Sequence, residues 1–303
     1  MTAEIRIDAL LPGEMATRAE LVGVRKAEMA FLTMFALAIL AGAFIALGAI
    51  FSTTVLSGGI SIKDAQGAVV YSTGLPYGLN RMFAGLVFCL GLILVVVGGA
   101  ELFTGNNLIA MAWASGKVST GALLRNWIIV YIGNFVGSIG TVLIMFFSKQ
   151  YTFSSGAVGL TALNIATSKV QLGFVQAIAL GIMCNALVCL AVWMTFSARS
   201  TTDKILAIIF PISAFVAAGF EHSVANMYFI PMGLVIKQFA APDFWKAIAK
   251  TPADFSALTW QAFFVNNLLP VTIGNIIGGA ILVAAVYWLI FLRPRKVEQT
   301  TQN

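Results

Sequence analysis

Residues 101–107 read Glu-Leu-Phe-Thr-Gly-Asn-Asn, and the stretches on either side, 82–100 and 102–116, carry no charge. Gly, Thr and Asn are poor helix formers. Irregular backbone survives at bilayer depth only where protein buries it or where it lines a cavity. A carboxylate there costs about 2.5–3.5 kcal/mol even on the lenient scale, so it is paired or functional. The stretch therefore predicts a membrane helix broken near its middle. Residues 219–226, GFEHSVAN, repeat the pattern: Gly99 and Gly219 stand two before the Glu, and Asn106 and Asn226 stand five after it. A second set agrees. Asn126 precedes Gly133, Asn134 and Gly137 by seven, eight and eleven residues, and Asn267 precedes Gly274, Asn275 and Gly278 by the same offsets.

The composition requires a membrane protein. Of 303 residues, 59% are hydrophobic and 10% charged, against roughly a quarter charged in a soluble domain. Mean hydropathy is +0.93. Soluble enzymes, nucleic-acid binders and disordered proteins are excluded, and no nucleic-acid partner is expected. Uncharged runs cover 29–51, 82–100 with 102–116, 127–148, 172–197, 205–220 with 222–236, and 267–292. About 20 residues span a bilayer, so six spans are expected, the second and fifth each broken at one Glu. The matched offsets pair spans one to three with spans four to six. Three spans per repeat force the second copy to enter from the opposite side, giving a 3+3 inverted repeat with its site near the midplane. The first apolar run is too long for a signal peptide and lacks a cleavage site. The expected organisation is a cytoplasmic amphipathic segment (1–28), an all-α channel domain (29–292) and a cytoplasmic tail (293–303). With both ends cytoplasmic, eleven Lys and Arg fall inside and seven outside, in the sense of the positive-inside rule.

Candidate site residues follow from the breaks. Glu101 and Glu221 recur in both halves, so they read as structural: a carboxylate can accept backbone N–H groups freed at a helix break. His222 and Thr104 do not recur, and that asymmetry points to the solute. His titrates near neutral pH and can donate to an anion or exchange a proton with it. Thr104 reads equally as a cap. Half-helix N-termini suit small anions, and no ring of unpaired carboxylates provides a cation filter. Phe88, Leu92, Leu102 and Phe215 lie on the broken spans and can form apolar constrictions. Cys89, Cys184 and Cys189 read as small core hydrophobes. With one His and no ligand spacing, neither metal nor cofactor is expected.

ELFTGNN (101–107), GFEHSVAN (219–226) and NLLPVTIGNIIGG (267–279) resemble the signatures of the formate/nitrite transporter family, as do DALLPGEMA (8–16), CLAVWM (189–194) and FIPMGLVIKQF (229–239). The last resembles the formate-channel branch more than the nitrite-channel branch. The resemblance covers nearly the whole chain. It implies an aquaporin-like six-helix protomer, a homopentamer with one pore per subunit, and passage of formate and related small monovalent anions across the bacterial inner (plasma) membrane. Carried over motif by motif, Leu92 and Leu102 form the cytoplasmic-side constriction, Phe88 stands near the outer one, and Phe215 lines the inner one. Thr104, His222 and Asn267 form the polar centre. Lys169 concentrates anions in the outer vestibule, and Asn185 buttresses the centre. The family's acidic residue can be Asp; here it is Glu101. Residues 237–238 and the tail also depart from the formate-channel pattern. The expected function is formate conduction, pH-dependent or proton-coupled through His222, with a nitrite or hydrosulfide channel as the alternative. A water channel is disfavoured because no Asn-Pro-Ala occurs. An enzyme is disfavoured because the chain has one His, no Cys ligand set and only two intramembrane carboxylates.

Overall fold

The computed structural model describes residues 9–59, 61–63, 66, 69–72 and 74–293. The expected tail, 293–303, lies outside the described residues except for Arg293. The described chain is helical apart from one short hairpin. Helix α1 (Pro12–Glu28) precedes α2 (Phe31–Leu56), and the antiparallel strands β1 (Ser61–Lys63) and β2 (Val69–Ser72) follow. Next come α3 (Tyr77–Gly98), α4 (Phe103–Asn106), which runs through a 3-10 turn into α5 (Ala110–Ala114), and α6 (Thr120–Phe147). The order closes with α7 (Ala157–Val170), α8 (Phe174–Ser197), α9 (Thr201–Ala217), α10 (Ser223–Phe239), α11 (Pro242–Ala247) and α12 (Ala262–Phe291). The hairpin departs from the all-α expectation. Helix α12 also widens into π-helical turns over Ala262–Leu268 and Ile277–Ala285.

Among the described residues five helices are long and apolar enough to cross a membrane: α2, α3, α6, α8 and α12. Helices α9 and α10 have 17 residues each and are separated by non-helical backbone at 218–222. Local sequence explains the boundaries. Ser119 Oγ accepts the Ala122 N–H at 3.1 Å to start α6. Ser200 and Asp203 exchange bonds of 3.1 and 2.9 Å to start α9. The Arg199 and Ser200 N–H groups hold the Asp203 carboxyl below its ordinary pKa. Helix α3 stops at Gly99 (φ 81°), and Gly219 (φ 76°) follows α9. Both occupy the left-handed region that only glycine enters freely. Leu102 (φ −111°, ψ 125°) and His222 (φ −113°, ψ 113°) then take nearly the same extended conformation before helix resumes.

Small residues bring the helices together, as expected where lipid supplies little hydrophobic drive between them. A Cβ added at Gly137 would stand 1.9 Å from the Ile39 carbonyl oxygen, so α2 and α6 touch backbone to backbone. A Cβ at Gly278 would stand 2.2 Å from the Ile182 oxygen, so α8 and α12 do the same. Helix α1 buries Met15, Ala16, Ala19, Gly23 and Ala27 against Ile109, Met111, Ala112, Trp193 and Ala284. Its apolar stripe therefore meets protein. Glu20 pairs with Lys117, and Arg18 Nη1 donates to the Phe196 carbonyl at 3.1 Å.

Candidate functional site

Each helix break leaves backbone groups that must find partners. At the first break the Phe103 N–H donates to Asn134 Oδ1 at 2.9 Å, and Asn134 Nδ2 donates to the carbonyls of Ala38 (2.7 Å) and Glu101 (2.9 Å). At the second the Ser223 N–H donates to Asn275 Oδ1 at 2.9 Å, and Asn275 Nδ2 donates to the carbonyls of Gly181 and Glu221, both at 2.9 Å. The carboxylates match as well. Glu101 pairs with Lys26 Nζ at 2.6 Å and accepts from Asn106 Nδ2 at 2.7 Å. Asn106 Nδ2 also donates to Asn126 Oδ1, and Asn126 Nδ2 donates to the Lys26 carbonyl, both at 2.9 Å. Glu221 pairs with Lys169 Nζ at 2.6 Å and accepts from Asn226 Nδ2 at 2.7 Å. Asn226 Nδ2 donates to Asn267 Oδ1 at 2.7 Å, and Asn267 Nδ2 to the Lys169 carbonyl at 2.9 Å.

This corrects the expected role of the two glutamates. Among the described residues their carboxylates accept no backbone N–H of the break. The Phe103 and Ser223 N–H groups go to asparagines, whose amides both accept and donate, and the Glu101 and Glu221 N–H groups go to leucine carbonyls. The carboxylates instead neutralise a lysine and fix an asparagine.

Thr104 Oγ1 and His222 Nε2 lie 3.1 Å apart, both buried. His222 Nδ1 accepts the Ala225 N–H at 3.0 Å and so caps α10. An accepting Nδ1 carries no proton, so this bonding assigns the ring hydrogen to Nε2. Nε2–H then donates to Thr104, whose own hydroxyl hydrogen is left to donate elsewhere. Asn185 lies behind Thr104: its Nδ2 donates to the carbonyls of Thr104 (3.3 Å) and Asn275 (2.7 Å) and to Asn107 Oδ1 (2.8 Å). Asn267, expected in the same centre, is bonded into the Glu221 cluster instead.

Two cavities approach this pair. One, about 250 Å³, is lined by Arg81, Phe88, Lys169, Phe215, Glu221 and His222, with Phe229 beside Lys169. The other, about 310 Å³, is lined by Arg18, Lys26, Leu92, Glu101, Leu102 and Lys204. Phe215 stacks on His222 (5.8 Å between centroids) and meets Phe88 edge-on (5.7 Å). Phe215 therefore shares the Lys169 cavity with Phe88, whereas the two were expected at different constrictions. Leu92 and Leu102 stand together on the Lys26 cavity. Lys169, expected to concentrate anions in the outer vestibule, has its ammonium matched by Glu221. Sequence reasoning missed Lys26 and Arg81, and read Asn126 only as part of the repeat. The signal for Lys26 was available: it stands eleven residues before Leu37, as Lys169 stands eleven before Leu180, and those leucine carbonyls accept the N–H groups of Glu101 (3.2 Å) and Glu221 (3.3 Å).

The chain is 47% identical to the formate channel FocA of Escherichia coli K12, over 97% of this chain and 98% of that protein. It is 43% identical to FocA of Haemophilus influenzae, over 91% of this chain and 92% of that protein. A solved pentameric formate channel with formate bound superposes with a TM-score of 0.79 at 48% identity, covering 87% of this chain and 98% of that one. The formate/nitrite transporter model matches residues 13–289. The chain belongs to the formate/nitrite transporter family.

Proposed function

We propose that this chain is a formate-conducting channel of the bacterial inner membrane, active as a homopentamer with one path per subunit. The observation that carries the reading is the Thr104–His222 pair. It sits where two half-helices begin, with cation-lined cavities on both sides and apolar side chains at each approach. The bond-for-bond match of the two breaks supports a 3+3 inverted repeat of six spans within 29–292, with α9 and α10 together forming the fifth. The basic bias favours both termini in the cytoplasm. The Lys26 cavity then faces inward and the Lys169 cavity outward, with 1–28 as the cytoplasmic N-terminal segment.

In the mechanism, formate enters a cavity, sheds water against Phe88 and Phe215 or Leu92 and Leu102, and reaches Thr104 and His222. The Thr104 hydroxyl donates to a formate oxygen. His222 takes a proton at Nδ1, releasing the Ala225 N–H, and passes the Nε2 proton to formate. Neutral imidazole and formic acid result, and an uncharged acid crosses an apolar constriction at far lower cost than an anion. The test is formate uptake into proteoliposomes above and below neutral pH, for wild type and His222→Ala. Wild type should conduct at both values, and the variant should lose acid-side uptake. Unchanged uptake by folded His222→Ala would falsify the proton step, and wild type moving nitrite or hydrosulfide but no formate would replace the substrate.

A further inference from the structure

We propose that Arg81 sets the net charge of the Lys169 cavity and thereby makes that mouth accept anions. Arg81 stands near the start of α3, and its guanidinium reaches across to α9. Nη2 donates to the Val216 carbonyl, and Nε lies 3.5 Å from the Ala217 carbonyl. These are the last two residues of α9. The final carbonyls of a helix lack intrahelical donors and carry about half a negative charge between them. Val216 and Gly219 line the same cavity. Without Arg81, an anion arriving there would meet the negative end of a half-helix.

The formal charges lead to the same conclusion. Among the described residues lining this cavity the charged side chains are Arg81, Lys169 and Glu221. Lys169 and Glu221 cancel as an ion pair at 2.6 Å. Among the described residues Arg81 bonds only to neutral carbonyls, so the cavity's net charge of +1 is its own. The Lys26 cavity differs: Arg18, Lys26 and Lys204 face a single Glu101, a net +2. Removing one cation leaves that cavity positive but brings the Lys169 cavity to zero. A charged cleft with low-dielectric walls raises the local concentration of the opposite ion by about 10-fold or more, so the two mouths should respond differently to the loss of one charge.

The inference rests on the reading that the chain conducts formate. Intact cells and inverted membrane vesicles present the two faces separately. Initial formate uptake is measured against formate concentration in both, at low and high salt, for wild type, Arg81→Gln, Arg81→Lys and Leu56→Asp. Wild-type uptake alone decides the formate reading, and ratios to wild type decide Arg81. Arg81→Gln should raise the half-saturating concentration about tenfold from one face and leave the saturated rate near wild type. High salt should shrink the gap. Arg81→Lys should keep the wild-type value. Leu56 also lines this cavity; Leu56→Asp adds a carboxylate while leaving the bonds of Arg81 to α9 in place. It should reproduce the rise even where Arg81→Gln does not assemble. An unchanged half-saturating concentration in Leu56→Asp overturns the proposal. So does an equal rise from both faces, or a fall in saturated rate alone, which would make Arg81 only a brace for α9.

Discussion

The two helix breaks are built alike and filled differently. Both have a left-handed glycine, an extended residue, a glutamate holding a lysine at 2.6 Å, and an asparagine from a neighbouring helix closing the backbone. Ala100 already stands where the other break has Phe220, and the three residues after the glutamate all differ. Leu102 in one break faces His222 in the other, Phe103 faces Ser223, and Thr104 faces Val224. Residues that any break needs, in order to satisfy its backbone and its buried charge, occur twice. Residues that a solute needs occur once. Recurrence therefore separates scaffold from chemistry, and each prediction below tries that separation.

The largest effect should come from the scaffold charges. Removing one partner of a buried ion pair strands the other and costs about 3–5 kcal/mol. Glu221→Gln should approach that range, because the Lys169 side chain is only 15% exposed. Glu101→Gln should cost less, because Lys26 is 26% exposed and water can reach it. Thermal unfolding in detergent, with size exclusion to follow assembly, gives the order. If Glu101→Gln is the more damaging, the two clusters are not equivalent scaffolds.

Next come the glycine contacts. Gly137→Ala and Gly278→Ala each press a methyl onto a backbone oxygen, at 1.9 and 2.2 Å. Overpacking of this kind costs about 1–3 kcal/mol, and the two costs should be similar. Gly140 lies on α6 with nothing within 4 Å of an added Cβ, so Gly140→Ala should stabilise by about 0.5–1 kcal/mol through helix propensity. A loss at Gly140 equal to that at Gly137 would mean that helix spacing is not what these glycines provide.

The frame of the fold was legible because scaffold residues recur at fixed offsets. Gly99 and Gly219, Asn134 and Asn275, and Gly137 and Gly278 could be read from spacing alone. The same logic shows where the reading failed. Asn267 has a counterpart in Asn126, which marks it as scaffold, yet it was placed with the solute. Phe88 and Phe215 were expected at different constrictions yet line one cavity, because the side depends on how α9 is rotated against α3, and spacing along one chain does not give that rotation. Asymmetry singled out Thr104 and His222 but did not predict their contact, since the two stand three and one residues past their glutamates. Only the meeting of two half-helices brings them to 3.1 Å. Lys26 escaped notice because it lies on α1, before the first span, and reaches Glu101 by the length of its side chain. The hairpin and the π-helical turns of α12 left no pattern in the sequence.

The smallest expected effect tests the comparison where it is most exposed to error. Phe103 packs edge-on against Tyr131 and Trp127 at 4.9 and 6.1 Å. Its counterpart Ser223 is fully buried, and its hydroxyl has no hydrogen-bond partner among the described residues. A buried hydroxyl that makes no bond adds nothing to stability and carries the cost of leaving water. Ser223→Ala should therefore be neutral or stabilise by up to about 1 kcal/mol, with formate uptake unchanged. A cost of several kcal/mol would mean that the hydroxyl is bonded in the membrane. Lost uptake at full stability would add Ser223, next to His222, to the residues that the solute needs and place a third polar group on the path.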